Sequence, residues 1–259
     1  MTDVAGVLAR GGFIAAEEEA RELTACAAGN AGRLESMVAR RLTGEPLAWI
    51  TGRVLFCGLE IRVDPGVYVP RWQSEALARR AVERLPARGA AIDVCTGSGA
   101  IARTLMAARP GARVLACEVE RRAVACAKAN GVEVYRGDLF EPLPGALQGR
   151  VDVVVGVVPY VPTPELPLLQ RDTFTFESPL AYDGGLDGTD VLRRVLAASL
   201  RWLRPGGTLL LELGGRQAEL LAGDPASTGY DEICVIRDEE GDVRGIEAAL
   251  GPAPPVTAG

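Results

Sequence analysis

Apolar residues recur at helical spacing through the first forty positions. Residues 17–28 are rich in Ala, Glu and Leu, and Gly29-Asn30 supplies a stop signal. Leu34, Met37, Val38 and Leu42 share one helical face. Residues 2–42 are therefore expected to be helical until Thr43-Gly44-Glu45-Pro46 breaks the pattern. Residues 54–61 and 67–69 read as strands around the turn signal Asp64-Pro65-Gly66. From residue 75 the pattern changes to alternating elements. Helices are expected over 76–85, 101–108, 121–130 and 191–203. Strands are expected over 91–94, 112–117, 132–135, 151–158 and 208–213. The run 151–158 is apolar except for Asp152 and Gly156, as the centre of a parallel sheet requires. Residues 232–236 and 243–248 flank Glu239-Glu240-Gly241-Asp242 and read as a closing hairpin. The alternation predicts an α/β fold, a Rossmann-like doubly wound sheet with an antiparallel edge hairpin, preceded by a small helical domain. The last residues, 251–259, read as a flexible tail.

Composition narrows the chemistry. The chain has 259 residues, 48% hydrophobic and 24% charged, with net charge −6. Lys128 is the single lysine and there is no histidine. An acidic chain without a basic run is a poor candidate for non-specific nucleic-acid binding. The missing histidine removes Ser-His-Asp and Cys-His catalysis and argues against a catalytic metal. No apolar run approaches the roughly 20 residues that span a membrane. The start MTDVAGVLARGGF lacks a secretion signal, so a cytoplasmic protein is expected. Cys26, Cys57, Cys95, Cys117, Cys126 and Cys234 form no C-x-x-C pair and read as buried free thiols.

The stretch AIDVCTGSGAIA, residues 91–102, carries the first chemical signal. A strand feeds a glycine turn that opens a helix, which aims backbone N–H groups and a helix N-terminus at a ligand. Gly97 and Gly99 allow close backbone approach. Taken alone, the turn fits a nicotinamide or flavin site as well as an S-adenosylmethionine (SAM) site. Ligands of such sheets lie at the carboxyl ends of the strands. Asp93, Glu118, Asp138 and Val158-Pro159-Tyr160 all fall there. A carboxylate at the second strand's end, Glu118, suits a ribose diol.

Longer motifs surround this turn. Arg40-Arg41-Leu42-Thr43-Gly44-Glu45-Pro46-Leu47-Ala48-Trp49-Ile50-Thr51-Gly52 precedes it, as do Phe56-Cys57-Gly58-Leu59 and Val69-Pro70-Arg71, with Glu75 beyond. Pro159-Tyr160-Val161-Pro162-Thr163, Glu177-Ser178-Pro179-Leu180-Ala181, Gly184-Gly185-Leu186-Asp187-Gly188 and Leu203-Arg204-Pro205-Gly206-Gly207 follow it. In this order they resemble the HemK/PrmC family, the release-factor glutamine methyltransferases, within the class I SAM-dependent methyltransferases. The resemblance implies a helical substrate-binding domain over 1–52, a connecting hairpin over 53–75 and a catalytic domain over 76–250. It implies SAM as cofactor, held by Asp93, Cys95, Thr96, Gly97, Gly99, Glu118, Asp138 and Leu139. Methyl transfer is implied beside Val158, Pro159 and Tyr160, with Arg71, Val157 and Glu177 toward the substrate. The implied partner is a release factor. A small-molecule nitrogen acceptor or a non-catalytic SAM-binding role is the alternative.

Two positions depart from the family pattern. Cys95 stands where the glycine loop has its first glycine. Val157-Val158-Pro159-Tyr160 stands where the family has Asn-Pro-Pro-Tyr. An amide nitrogen is a poor nucleophile because its lone pair is delocalised. In the family motif the Asn oxygen and a backbone carbonyl accept the amide hydrogens and aim the nitrogen, while the tyrosine ring walls the site. Val157 has no side-chain acceptor. Either the substrate differs, another group supplies the acceptor, or catalysis is weak. Glu165, Glu177, Asp183 and Asp187 are the acids expected to replace it.

Overall fold

The structure is a computed structural model that describes residues 3–169, 175–224, 227–238 and 240–251. The expected tail therefore lies almost wholly outside the described residues. Four helices come first: α1 (Val4–Arg10), α2 (Ala16–Ala27), α3 (Ala31–Leu42) and α4 (Leu47–Thr51). Asp3 and Asn30 cap α1 and α3 by accepting from the Gly6 and Arg33 amides. Leu8, Leu23, Met37 and Ile50 form the core of this unit. The break at 43–46 is a real interruption between α3 and α4.

The following hairpin differs from expectation. Its strands are β1 (Arg53–Phe56) and β2 (Leu59–Arg62), and Phe56 pairs with Leu59. The turn is Cys57-Gly58, both at positive φ, 49° and 76°. That is the backbone twist a two-residue hairpin prefers. Asp64-Pro65-Gly66 does form a turn, with the Val67 amide donating to the Asp64 carbonyl at 3.1 Å, but it lies after the hairpin. Residues 67–69 form no strand.

The α/β part contains α5 (Glu75–Arg84), β3 (Ala90–Val94), α6 (Ala100–Ala108), β4 (Arg113–Glu118), α7 (Arg121–Ala129) and β5 (Val134–Arg136). It continues with β6 (Val151–Gly156), α8 (Asp190–Ser199), β7 (Leu203–Glu212), α9 (Gln217–Ala222), β8 (Tyr230–Arg237) and β9 (Val243–Leu250). Strand order is β5-β4-β3-β6-β7-β9-β8. The first five are parallel, and β9 runs antiparallel to both β7 and β8. Alternate residues serve opposite faces. Ile92, Leu115, Val154 and Leu211 pack toward α8 and Trp202, while Ala91, Val114, Val153 and Leu210 pack toward α5, α6 and α7. Asp152 is tolerated in β6 because it accepts from the Ala90 amide at 2.8 Å and the Arg204 guanidinium at 2.6 Å.

Chain direction across the sheet reverses between β3 and β6. From β3 the chain moves outward to β4 and β5, then returns to the other side of β3 for β6. The crossovers leave opposite faces there, which opens a crevice at the carboxyl ends of those two strands. Residues 93–99 and 157–160 emerge on its two sides. All six cysteines are free; Cys117 and Cys126 are buried as expected, whereas Cys234 is exposed. Among the described residues, no helix is long and apolar enough to cross a membrane.

Candidate functional site

Asp93 is the penultimate residue of β3, at 1% exposure. Its Oδ2 accepts from the Thr96 hydroxyl at 2.5 Å and from the Ala102 amide at 3.0 Å. The carboxylate thus ties the glycine turn to the start of α6. Burial pushes its pKa up to about 7 against these two hydrogen bonds. Cys95, Gly97 and Gly99 all adopt positive φ, at 55°, 57° and 85°. Cys95 therefore holds the left-handed conformation that glycine adopts without cost. The two glycines have different reasons. A Cβ on Gly99 would come 2.8 Å from Val132 Cγ2, so its size is set by packing against the end of α7. A Cβ on Gly97 would meet nothing within 4 Å, because Gly97 opens onto a cleft.

That cleft takes in about 900 Å³, counting space open to solvent. Glu118 forms part of its wall, with Oε2 accepting from the Gly97 amide and Oε1 from the Glu120 amide, both at 2.9 Å. Each oxygen keeps a further lone pair for a ligand hydroxyl. Burial raises the Glu118 pKa, and the backbone donors oppose the rise. Asp93, Glu118 and Glu120 line the chamber, and no Lys or Arg lines it among the described residues. Such a wall repels a pyrophosphate and attracts a sulfonium cation. The ambiguity of the glycine turn is resolved in favour of SAM on that charge pattern.

A second chamber, about 1030 Å³ counting space open to solvent, adjoins the first. Tyr68, Val157 and Ala181 line both, so the two meet at Val157. Pro159 faces the first chamber, and Val158 and Tyr160 the second. The Tyr160 hydroxyl donates to Glu212 Oε1 at 3.0 Å. Gln217 donates to the Tyr160 carbonyl, which fixes the loop after β6. Burial, then the Glu212 charge, raises the Tyr160 pKa, so the phenol stays neutral. Among the described residues, three buried side-chain oxygens have no hydrogen-bond partner: Ser74 Oγ, Ser98 Oγ and Glu212 Oε2. All three residues line one or other chamber. Ser74 and Ser98 face the first chamber and Glu212 the second, and the Ser74 hydroxyl lies close enough to Glu212 to lower its pKa. Buried polar atoms are normally satisfied, so these incompletely bonded oxygens mark where a ligand completes the structure.

The other expected site residues divide. Arg71 lines the second chamber. Its guanidinium pairs with Glu177 Oε2 at 2.6 Å and donates to the Tyr182 hydroxyl at 3.0 Å. Glu177 also accepts from the Val69 amide at 2.7 Å and lines neither chamber. This pair fastens the 175–182 segment onto residues 68–71. Asp138 and Leu139 also line neither chamber. Asp138 pairs with Arg194 at 2.5 Å, and Leu139 is buried in the core at φ 47°. Sequence reasoning missed Tyr68, Ser74 and Glu212. Glu212 gave one available signal: it is the single acid in the apolar run 208–213 and ends a central strand.

Comparison with known proteins gives a consistent set of relatives. The chain is 37% identical over 236 residues to the release factor glutamine methyltransferase of Geobacter sulfurreducens, covering 89% of this chain and 79% of that protein. It is also 37% identical over 217 residues to a 4-amino-L-phenylalanine/4-methylamino-L-phenylalanine methyltransferase of Streptomyces pristinaespiralis, covering 79% and 73%. Among solved structures, the T. thermophilus 16S rRNA N2 G1207 methyltransferase in complex with AdoMet and guanosine aligns with TM-score 0.52 at 20% identity. That alignment covers 80% of this chain and 46% of the other, and it shows a shared fold. No family model matches the chain.

Proposed function

The chain belongs to the release factor glutamine methyltransferase (HemK/PrmC) family of SAM-dependent methyltransferases, and on that premise we propose that it methylates the side-chain nitrogen of a glutamine in a peptide-chain release factor. The observation that carries this reading is the junction of two chambers at Val157. One has an acidic wall and a glycine turn; the other has three tyrosines and a buried glutamate.

SAM supplies an electrophilic sulfonium methyl when bound. Gly97 lets the backbone lie against the cofactor, and Glu118 presents carboxylate oxygens to its ribose hydroxyls. Asp93 holds the turn that places both. The acidic wall favours the cationic cofactor over its neutral-sulfur product, which aids exchange after transfer. Val157 and Pro159 form an apolar boundary that keeps water from the reacting atoms. Tyr160, oriented by Glu212, walls the acceptor side. The task of these residues is to hold a weak nucleophile at short range and in line with the methyl group.

A second reading has its own observation. Val157 replaces the family's asparagine, and one relative is named for methylating an aryl amine. On this reading the acceptor is a small-molecule nitrogen. Radiolabelled SAM with a purified release factor tests the first reading, followed by mapping of the methyl group. Methylation of a release-factor glutamine is the expected result. Transfer to 4-amino-L-phenylalanine with none to the release factor would replace the first reading with the second.

A further inference from the structure

Glu212 is the last residue of β7, and Val157 is the first residue beyond β6. Gly156 pairs with Leu211 in the parallel register, so Val157 and Glu212 leave the sheet on adjacent strands. Both line the acceptor chamber. Glu212 is only 6% exposed. Its Oε1 is held by the Tyr160 hydroxyl, and its Oε2 makes no hydrogen bond of good geometry, although the nearby Ser74 hydroxyl lowers the carboxyl's pKa against burial. A buried carboxylate oxygen without a donor is costly, and the cost disappears when a ligand brings an N–H.

The four acids expected to stand in for the missing asparagine are otherwise placed. Glu177 is engaged by Arg71 and the Val69 amide. Asp183 accepts from the Thr163 hydroxyl and the Gly185 amide. Asp187 is held by Thr189 and Arg193. Glu165, like the other three, lines neither chamber.

We propose that Glu212 Oε2 accepts an N–H of the methyl-acceptor nitrogen, replacing the side-chain acceptor that Val157 lacks, and that the group bound there is a planar conjugated –NH2 such as an amide or an aryl amine. This rests on the N-methyl reading above and adds the residue that recognises the nitrogen. Two features favour a planar nitrogen. Tyr68 and Tyr160 line the chamber and offer flat walls. A conjugated nitrogen is neutral at pH 7, so it can attack without first losing a proton. An alkylammonium would have to be deprotonated beside the carboxylate that stabilises its charge. As the nitrogen lone pair bonds to the donor methyl carbon, the carbon–sulfur bond breaks and its electron pair passes to sulfur. The N–H proton passes to Glu212 Oε2. The products are a neutral N-methyl nitrogen and S-adenosylhomocysteine, and the protonated Glu212 later returns its proton to solvent.

The test uses the full chain, S-adenosylhomocysteine for binding, and two acceptors: a purified release factor and 4-amino-L-phenylalanine. Glu212→Leu removes the acceptor at similar volume. It should slow single-turnover methyl transfer by about 10²–10³-fold. Glu212→Gln keeps an oxygen but cannot take a proton, and should fall between wild type and Glu212→Leu. S-adenosylhomocysteine affinity by calorimetry should change by less than about twofold in both, showing an intact donor chamber. Val157→Asn added to Glu212→Leu should recover about tenfold or more, because it returns a side-chain acceptor on the adjacent strand. A structural role alone would not be rescued in this way. Wild-type rates in Glu212→Leu, or loss without recovery, overturn the role of Glu212 and leave the N-methyl reading standing. Transfer by wild type to neither acceptor overturns both. Which acceptor is used separates a protein amide from an aryl amine.

Discussion

Asp93 sits at the base of the donor chamber with burial holding its pKa up to about 7. In the unfolded chain an aspartate titrates near pH 4. Between those values the folded protein binds the extra proton. Its stabilising contribution is therefore complete below about pH 4 and is lost as pH rises through about 7. Asp93→Asn keeps an acceptor oxygen for the Thr96 hydroxyl or the Ala102 amide and removes the titration. Its melting temperature relative to wild type should rise steadily from pH 5 to pH 8. A constant difference over that range would show that Asp93 does not titrate there. The glycine turn and Glu118 were legible as site residues because short-range pattern carries them: a strand, a turn, a helix and an acid at the next strand's end. Glu212 and Ser74 were not. A lone acid after Leu211 looks like any strand terminus, and its partners Tyr160 and Ser74 are far away in sequence. Asp138 shows the converse. It sits at a strand's carboxyl end, yet a salt bridge to Arg194, 56 residues on, takes its charge.

Elements followed the hydrophobic pattern where packing on both faces enforces it, and departed where turn chemistry decides. The central strands β3, β4 and β6 lie close to the expected ranges, because continuous apolar runs suit only buried parallel strands. The sequence pattern places the first hairpin around Asp64-Pro65-Gly66, whereas Cys57-Gly58 makes its turn. Cysteine is not a usual turn residue, so positive φ at Cys57 left no mark in composition. Strand β7 begins at Leu203 and runs through Pro205-Gly206-Gly207, a signal that reads as a stop. Gly207 is accommodated there because a Cβ would meet the Arg204 and Val151 carbonyl oxygens at 2.9 Å. Gly156 is a comparable constraint at the site itself. A Cβ there would come 2.5 Å from Val94 Cγ2 and 2.8 Å from the Val94 carbonyl oxygen, and these belong to a fully packed strand. Gly156→Ala should destabilise by about 1–3 kcal/mol through this overpacking. It should also displace Val157 and weaken methyl transfer beyond the stability loss. Urea unfolding gives the first quantity. Activity measured well below the unfolding midpoint gives the second, and an unchanged midpoint would mean that β3 and β6 separate without cost.

At the scale of the whole molecule, the segment between the helical unit and the sheet is more than a connector. Phe56, Gly66, Tyr68, Pro70 and Ser74 line the donor chamber, whereas no residue of α1 to α4 does. The expectation of a substrate-binding helical domain over 1–52 therefore meets a chamber wall built from residues 56–74. The helical unit reaches that wall through Trp49. The Trp49 indole N–H donates to the Val67 carbonyl at 2.9 Å, and its ring packs edge-on against Phe176 at 6.3 Å. Ala48 and Trp49 share a buried cluster with Val63, Val67 and Val69, which alternate with the chamber residues Gly66, Tyr68 and Pro70. Leu23 is just as buried but packs only within the helical unit. The two positions separate loss of stability from loss of the wall. Leu23→Ala should cost about 2–5 kcal/mol and Trp49→Ala about 3–5 kcal/mol of stability. Only Trp49→Ala should weaken S-adenosylhomocysteine binding, by roughly 3- to 30-fold, because Tyr68 and Pro70 lose the support that positions them. Calorimetric titration at a temperature where circular dichroism shows both variants folded makes the comparison. Equal affinities in the two would mean that residues 66–70 hold their place without the helical unit, and that its coupling to the donor chamber is absent.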